Sequence, residues 1–354
     1  MKNILIIKLS AIGDVIHALP VAAAIKKTWP DCHLTWVVSP IAADIVRNSP
    51  AIDNIIIFDR KKLNSLSSFI KYIRPFSHQL NVRHYDVSID LQGLLKSALV
   101  AFLAHADKKI GYADMREGSF LISSPVKGSH QRGHIIDRYL DTAAALGCAV
   151  EDVVFPLGIT LSEKNKALSL LSENGLTVES RYIVFIIGAN WPNKRWPTAY
   201  FSQLAEWCEN HRLTPILAGA GETDKVSAVQ IKSSASDIDI IDMVGKTSLK
   251  ELAYILQNAV AAVGGDTGSM HMAAALNCPA VMVMGPTDDN RNGPYRQPEN
   301  AIEVGYPCRH CWKRKCRFQR DCLAAIKPSR VITKLENILE GGCHSTILCP
   351  ESTK

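Results

Sequence analysis

The chain has 354 residues, 47% apolar and 21% charged, with 40 Lys and Arg against 34 Asp and Glu for a formal charge of +6. That length exceeds one ordinary domain and suits two, and the apolar share excludes wholesale disorder. The mild basic excess fits an anionic partner but lacks the concentrated charge of a dedicated nucleic-acid binder.

At the N-terminus, Ile4–Ile7 reads as a short buried strand leading into a turn and a helix. Lys8 and Asp14 interrupt what would otherwise imitate a signal peptide. No run reaches the roughly 18 consecutive apolar residues of a membrane span. The chain is therefore expected in the cytoplasm, with its thiols mostly reduced. Apolar runs at Leu34–Val38, Asn54–Phe58 and Val87–Leu91 continue a first series of strands. A second series follows at Tyr182–Ile187, Pro215–Ala218, Ile238–Met243, Ala261–Val263 and Ala280–Met284. Runs that are apolar throughout suit parallel strands covered on both faces. Helical patterns lie between them at Leu19–Thr28, Thr198–Asn210 and Leu249–Asn258, with Ser162–Glu173 at the junction.

Two series of alternating strands and helices predict an α/β protein of two doubly wound, Rossmann-like domains. The expected division is 1–165 and 175–330, then a helix over 331–340 and a disordered tail over 341–354. Ligands of such sheets sit outside the carboxyl ends of the strands, so the loops after each strand are where chemistry is sought.

After the first strand, Asp14 stands where a helix begins. A first-turn acid or cap is one reading, and a general base facing a cleft is the other. Lys194 and Arg195 follow Asn190 in a loop between a strand and a helix, placed for anionic oxygens, whereas Trp196 reads as structural. Glu222 closes the glycine-rich Ala218-Gly219-Ala220-Gly221, either as a capping acid or as an acceptor for a ribose diol. Gly264-Gly265-Asp266-Thr267-Gly268-Ser269-Met270-His271 is the strongest segment, because small residues at a helix start suit a diphosphate.

Four of the ten cysteines, Cys308, Cys311, Cys316 and Cys322, crowd one segment with Arg309, Lys313, Arg314, Lys315, Arg317 and Arg320. A structural zinc, disulfides and reduced thiols are all open readings of that spacing.

Taken together, K-L-S-A-I-G-D-V-I-H-A-L-P at the N-terminus, N-K-R-W-P, G-G-D-T-G-S-M-H-M-A-A-A and G-P-T-D resemble the ADP-heptose:lipopolysaccharide heptosyltransferases over about residues 1–340. D-L-Q-G-L-L-K-S at Asp90–Ser97 and the Arg116–Glu117 pair look most like the first heptosyltransferase of that family. The resemblance implies an inverting glycosyltransferase of the two-domain GT-B fold, its domains facing a cleft and no cofactor required. It implies Asp14 as catalytic base and Lys194 as the group stabilising the leaving diphosphate. Donor binding falls to Asn190, Glu222, Asp266, Thr267, Gly268 and His271. Acceptor binding falls to Arg60, Lys61, Lys62, Arg116 and Arg138, which suit the carboxylates and phosphates of Kdo-lipid A. The expected partners are ADP-heptose, an inner-core lipopolysaccharide acceptor and the inner leaflet of the inner membrane, with no nucleic acid. The rivals are a later heptosyltransferase, a nucleotide-sugar epimerase or hydrolase, and an anionic-polymer binding module.

Overall fold

The computed structural model describes residues 1–177 and 179–342. The chain divides into two compact units. The first comprises Met1–Leu170 with Thr247–Ile255 and Asn290–Tyr295; the second comprises Leu171–Lys246, Leu256–Asp289 and Arg296 onward.

The first unit holds a six-stranded parallel sheet built from β1 (Asn3–Ile7), β2 (His33–Val38), β3 (Asn54–Ile57), β4 (Tyr85–Asp90), β5 (Ala106–Tyr112) and β6 (Ser124–Val126). Their spatial order is β3-β2-β1-β4-β5-β6. The chain direction across the sheet therefore reverses between β1 and β4, where Ile4 pairs with Val87 and Ile7 with Asp90. The α-helices before residue 175 are α1 (Ile12–Thr28), α2 (Ala43–Val46), α3 (Leu66–Leu80), α4 (Leu95–Leu103), α5 (Ile135–Ala144) and α6 (Leu161–Glu173). Helix α1 starts seven residues before the Leu19 expected from its pattern. Pro20 lies inside it, and the wholly buried Val15, Ile16, Leu19 and Val21 hold the helix across the missing N–H.

The second unit repeats the arrangement. Its strands are β7 (Tyr182–Ile186), β8 (Thr214–Ala218), β9 (Ile241–Asp242), β10 (Ala261–Gly265), β11 (Ala280–Met284) and β12 (Ala301–Glu303). They are ordered β12-β11-β10-β7-β8-β9, so the reversal falls between β7 and β10. The helices are α7 (Thr198–Asn210), α8 (Glu222–Ser234), α9 (Leu249–Gln257), α10 (Gly268–Ala275), α11 (Asp289–Asn292) and α12 (Pro328–Gly342). Of these, α9 through Ile255 and Asn290–Asn292 of α11 group with the first unit.

Two features depart from the expected division. Residues 247–255 and 290–295 belong with the first unit although they lie in the second half of the sequence. Hydrogen bonds explain it: Lys250 Nζ donates to the carbonyls of Ile45 and Gly158, and Tyr295 Oη donates to Asp137. The last helix also runs from 328 to 342 rather than 331 to 340, taking in Gly341 and Gly342 of the expected tail. The rest of that tail, 343–354, lies outside the described residues. Among the described residues no helix is long and apolar enough to cross a membrane.

Candidate functional site

Each unit places a group of buried polar side chains at the reversal point of its own sheet, where doubly wound folds bind ligands. In the first unit, the loop after β1 is held by the loop after β4. Gln92 Oε1 accepts from the N–H groups of Leu9 and Ser10 at 3.1 and 3.0 Å. Asp90, fully buried, shapes the β4 loop itself: Oδ1 accepts from Gln92 and Gly93 N–H, and Oδ2 accepts from the Ser97 hydroxyl. Gly93 adopts φ +64°, and a Cβ there would lie 2.8 Å from the Tyr112 ring. Burial raises the Asp90 pKa although these three donors oppose it.

Beneath this loop pair lies Lys8, buried, with Nζ donating to the Leu91 carbonyl at 2.9 Å and to the Tyr139 hydroxyl at 2.7 Å. Burial lowers its pKa, and the Asp14 carboxylate is the largest influence opposing that shift. Asp14 occupies the third position of α1, half-buried, and its Oδ2 accepts from Ala11 N–H at 3.0 Å. It is thus a first-turn acid that closes the helix start, and it stands at the reversal point above a buried cation.

A cavity of about 440 Å³ opens beside the same loop, lined by Ser10, Ser39, Asp59, Arg60, Lys61 and Lys96 among others. Lys96 Nζ donates to Ser10 Oγ at 3.3 Å, and burial followed by the Arg60 guanidinium lowers its pKa. Three cations against one carboxylate leave this cavity suited to an anion. The five basic residues expected at the acceptor side are dispersed. Arg60 and Lys61 line the cavity. Lys62 lies over the Tyr72 ring, and Arg138 is committed to Asp114 at 2.6 Å and to the Gly133 carbonyl. Arg116 is exposed, its N–H bonded to the Gly93 carbonyl. Lys96, inside the quoted D-L-Q-G-L-L-K-S segment, joins the cavity in their place.

In the second unit, Asp266 is the hub. Its Oδ2 accepts from Lys194 Nζ at 2.5 Å and from the Thr287 hydroxyl at 2.5 Å, and its Oδ1 meets His271 Nε2 at 2.8 Å. Burial alone would raise its pKa; the His271 hydrogen bond and the Lys194 charge outweigh burial and hold it well below the usual carboxylate range. Lys194 also lies 4.6 Å from the centre of the Trp191 ring. The approach of the Lys194 loop to β10 depends on Gly265, where a Cβ would lie 1.9 Å from the Lys194 carbonyl oxygen. Thr267 caps α10 with extended backbone, and its buried hydroxyl has no hydrogen-bond partner among the described residues. Gly268 opens that helix.

Two expected donor residues stand apart from this hub. Asn190 is exposed on the loop before Lys194. Glu222 is exposed on the first turn of α8 and pairs with Lys225 at 2.7 Å. Two residues further on, Asp224 is buried and organises the turn: it accepts from Ala220 N–H and pairs with Arg195 at 3.3 Å. Cβ atoms at Gly188 and Gly219 would meet its carboxylate at 2.1 and 3.0 Å. Spacing favoured Glu222 because it directly follows the glycines; only the packing singles out Asp224.

The four clustered cysteines line a second cavity of about 330 Å³ with Asn193, Arg309 and Phe318. Their sulfurs do not converge as metal ligands would. Among the described residues, the one group of three or more His, Cys, Asp or Glu side chains whose donor atoms all lie within 4.8 Å of one another is Asp288, Asp289 and His310. Burial and the adjacent Cys316 push the Cys322 thiol up to about 11, whereas backbone N–H groups of Arg320 and Phe318 lower that of Cys316.

Residues 73–321 match the model of Glycosyltransferase family 9 (heptosyltransferase). The chain belongs to this family. It is therefore a glycosyltransferase, and its two parallel sheets are those of the GT-B fold. This family 9 enzyme is 28% identical to lipopolysaccharide heptosyltransferase 1 of Pseudomonas aeruginosa, over 95% of the chain and 98% of the relative. It is 26% identical to lipopolysaccharide heptosyltransferase 2 of Salmonella typhimurium, over 95% and 98%. Among solved structures it superposes on the Escherichia coli heptosyltransferase WaaC with ADP at a TM-score of 0.75 and 25% identity, covering 95% of this chain and 99% of that one. The family 9 glycosyl transferase of Veillonella parvula shares its fold, with a TM-score of 0.81 at 22% identity over 96% and 97%.

Proposed function

We propose that the enzyme transfers heptose from ADP-heptose to the Kdo or inner-core region of lipopolysaccharide, with inversion at the anomeric carbon. The observation that carries this reading is the hub at the β7/β10 reversal. There Lys194, Asp266, His271 and Thr287 surround the start of α10, beside a Thr267 hydroxyl with no partner among the described residues. A diphosphate placed there meets an ammonium, a hydroxyl and the positive end of a helix. The relative solved with ADP supports an adenine nucleotide as that diphosphate.

In this reading Asp14 removes the proton of the attacking acceptor hydroxyl as the bond from the sugar to the diphosphate breaks. Asp14 stands at the start of α1, its Oδ2 held by Ala11 N–H, beside the loop that begins at the buried Lys8. Positive charge develops on the sugar ring and negative charge on the departing phosphate, where Lys194 and the first turn of α10 counter it. Lys194 reaches the phosphate by sharing or leaving Asp266, whose low pKa keeps it ionised to receive the lysine again. Arg60, Lys61 and Lys96 take the anionic acceptor in the first unit's cavity. No step calls for a resident cofactor. The four clustered cysteines, whose sulfurs do not converge as metal ligands would, are given no part in the reaction.

Asp14→Ala is expected to lower turnover roughly 10²- to 10⁴-fold while leaving the Kd for ADP within a factor of a few. Turnover and ADP affinity falling together would overturn the base assignment. Resemblance to both heptosyltransferase 1 and heptosyltransferase 2 keeps a second acceptor step in view. Mass spectrometry of products from Kdo-lipid and heptosylated acceptors separates the two, and transfer to the Kdo-lipid is expected.

A further inference from the structure

Helix α4 is apolar on the side that faces water as well as on the side that faces the core. Its nine residues read Leu-Lys-Ser-Ala-Leu-Val-Ala-Phe-Leu, with Lys96 the single charge. Ser97, Ala98, Val100 and Ala101 are buried. Leu95 and Phe102, two turns apart and so on one face, are 66% and 64% exposed. Leu99, between them on that face, is half-buried. The short turn Ser119–Leu121 packs against α4 and adds Phe120 and Leu121, 52% and 79% exposed. Single exposed apolar residues need no explanation; four large ones on two packed elements do.

Cations stand at both ends of this face. Lys96, beside Leu95, belongs to the basic cavity that also holds Arg60 and Lys61. At the other end Lys109 Nζ donates to the Phe102 carbonyl at 3.3 Å. Arg116 is exposed just before the 119–121 turn, and the acid that follows it, Glu117, accepts from Leu95 N–H. An apolar stripe rimmed by cations fits a bilayer surface, where side chains such as Leu and Phe enter the acyl boundary and Lys and Arg meet anionic headgroups.

We infer that α4 and the 119–121 turn rest on a bilayer rich in anionic phospholipid, delivering a lipid-borne acceptor into the adjoining cavity. This rests on the proposed acceptor only for its purpose, because vesicle binding can be measured with no acceptor present. The purified full chain is mixed with phosphatidylcholine vesicles, with or without an equal amount of phosphatidylglycerol, and binding is read by flotation. Binding is expected to the anionic vesicles, weakened at high salt and at least tenfold weaker in Leu121→Asp and Phe102→Asp. Both residues are largely exposed, so the variants should melt as the wild type does; if Phe102→Asp fails to fold, Leu121→Asp alone carries the test. In both, transfer to a delipidated, soluble acceptor should stay at the wild-type rate while transfer to vesicle-borne acceptor falls. No binding by the wild type, or binding untouched at Leu121, overturns the inference. So does binding lost on charge reversal at Arg314 and Arg317 but not at Leu121, which moves the contact to the cysteine segment. A wild-type dimer in sedimentation that Leu121→Asp dissociates, with no vesicle binding, shows that a second copy covers this face. Failure of all transfer with vesicle binding intact would instead strike the proposed reaction.

Discussion

Asp266 shows how one carboxylate can serve both folding and chemistry. Three donors converge on it, one a partly buried ammonium, and breaking that pair at a buried carboxylate should cost up to about 3–5 kcal/mol. Asp266→Asn is therefore expected to lower the unfolding free energy by that order and to weaken ADP binding, read by urea melts and calorimetry. The pH dependence has a definite sign. The folded pKa lies below the unfolded one, so the stabilisation is fully present above the unfolded value and is lost as pH falls toward the folded one. The gap between wild type and variant should thus be constant near neutrality and narrow as pH falls from about 5 to about 3. A gap independent of pH would show that Asp266 is not held as an anion. Lys194, Asp266, Thr267 and His271 were legible in the sequence because each belongs to a compact loop motif. Gln92, Tyr139 and Asp224 were not. Gln92 bonds a loop 82 and 83 residues away and Tyr139 meets Lys8 across 131 residues, distances over which no local pattern carries information. Asp224 needs the glycine packing to distinguish it from Glu222.

At the scale of elements, each site is a pair of loops fastened to one another: Gln92 fastens the first pair, and Lys194 with Asp266 fastens the second. The second fastening needs the Lys194 backbone against β10, which only glycine at 265 permits. Gly265→Ala must push that loop outward and separate the ammonium from Asp266. Overpacking of this kind costs about 1–3 kcal/mol. The expected result is a lower melting temperature and ADP affinity reduced at least tenfold, with acceptor binding by the first unit unchanged; unaltered ADP affinity would free the donor site from this contact. The strands feeding these loops were readable as apolar runs. Strands β5, β6 and β12 were not. β5 begins Ala-Asp-Lys-Lys with Asp107 and Lys108 exposed, and β6 and β12 are three-residue edge strands, too short to show a period. The apolar outer face of α4 went unremarked because a helix and a buried segment look alike until exposure is known.

The whole molecule is not two consecutive halves, and Lys250 marks where the simple division fails. Its side chain is buried, with Nζ donating to the carbonyls of Ile45 at 3.3 Å and Gly158 at 3.1 Å. Among the described residues no carboxylate contacts it, so burial pushes its pKa from 10.5 down to about 8, with Glu163 and Asp44 acting only at a distance against that shift. Below about 8 the lysine is charged in both states, and the folded state bears the burial penalty. Between about 8 and about 10.5 the unfolded chain binds the proton and the folded one does not, so stability rises with pH across that window by up to about 3 kcal/mol. Lys250→Met removes the titrating group while keeping the aliphatic length. The difference in unfolding free energy, wild type minus variant, should therefore grow as pH rises from about 7.5 to about 10. Other groups titrate there too, but they titrate in both proteins and cancel in the difference. A flat difference would show that the ammonium stays charged in the folded state, its two carbonyl acceptors sufficing to replace water.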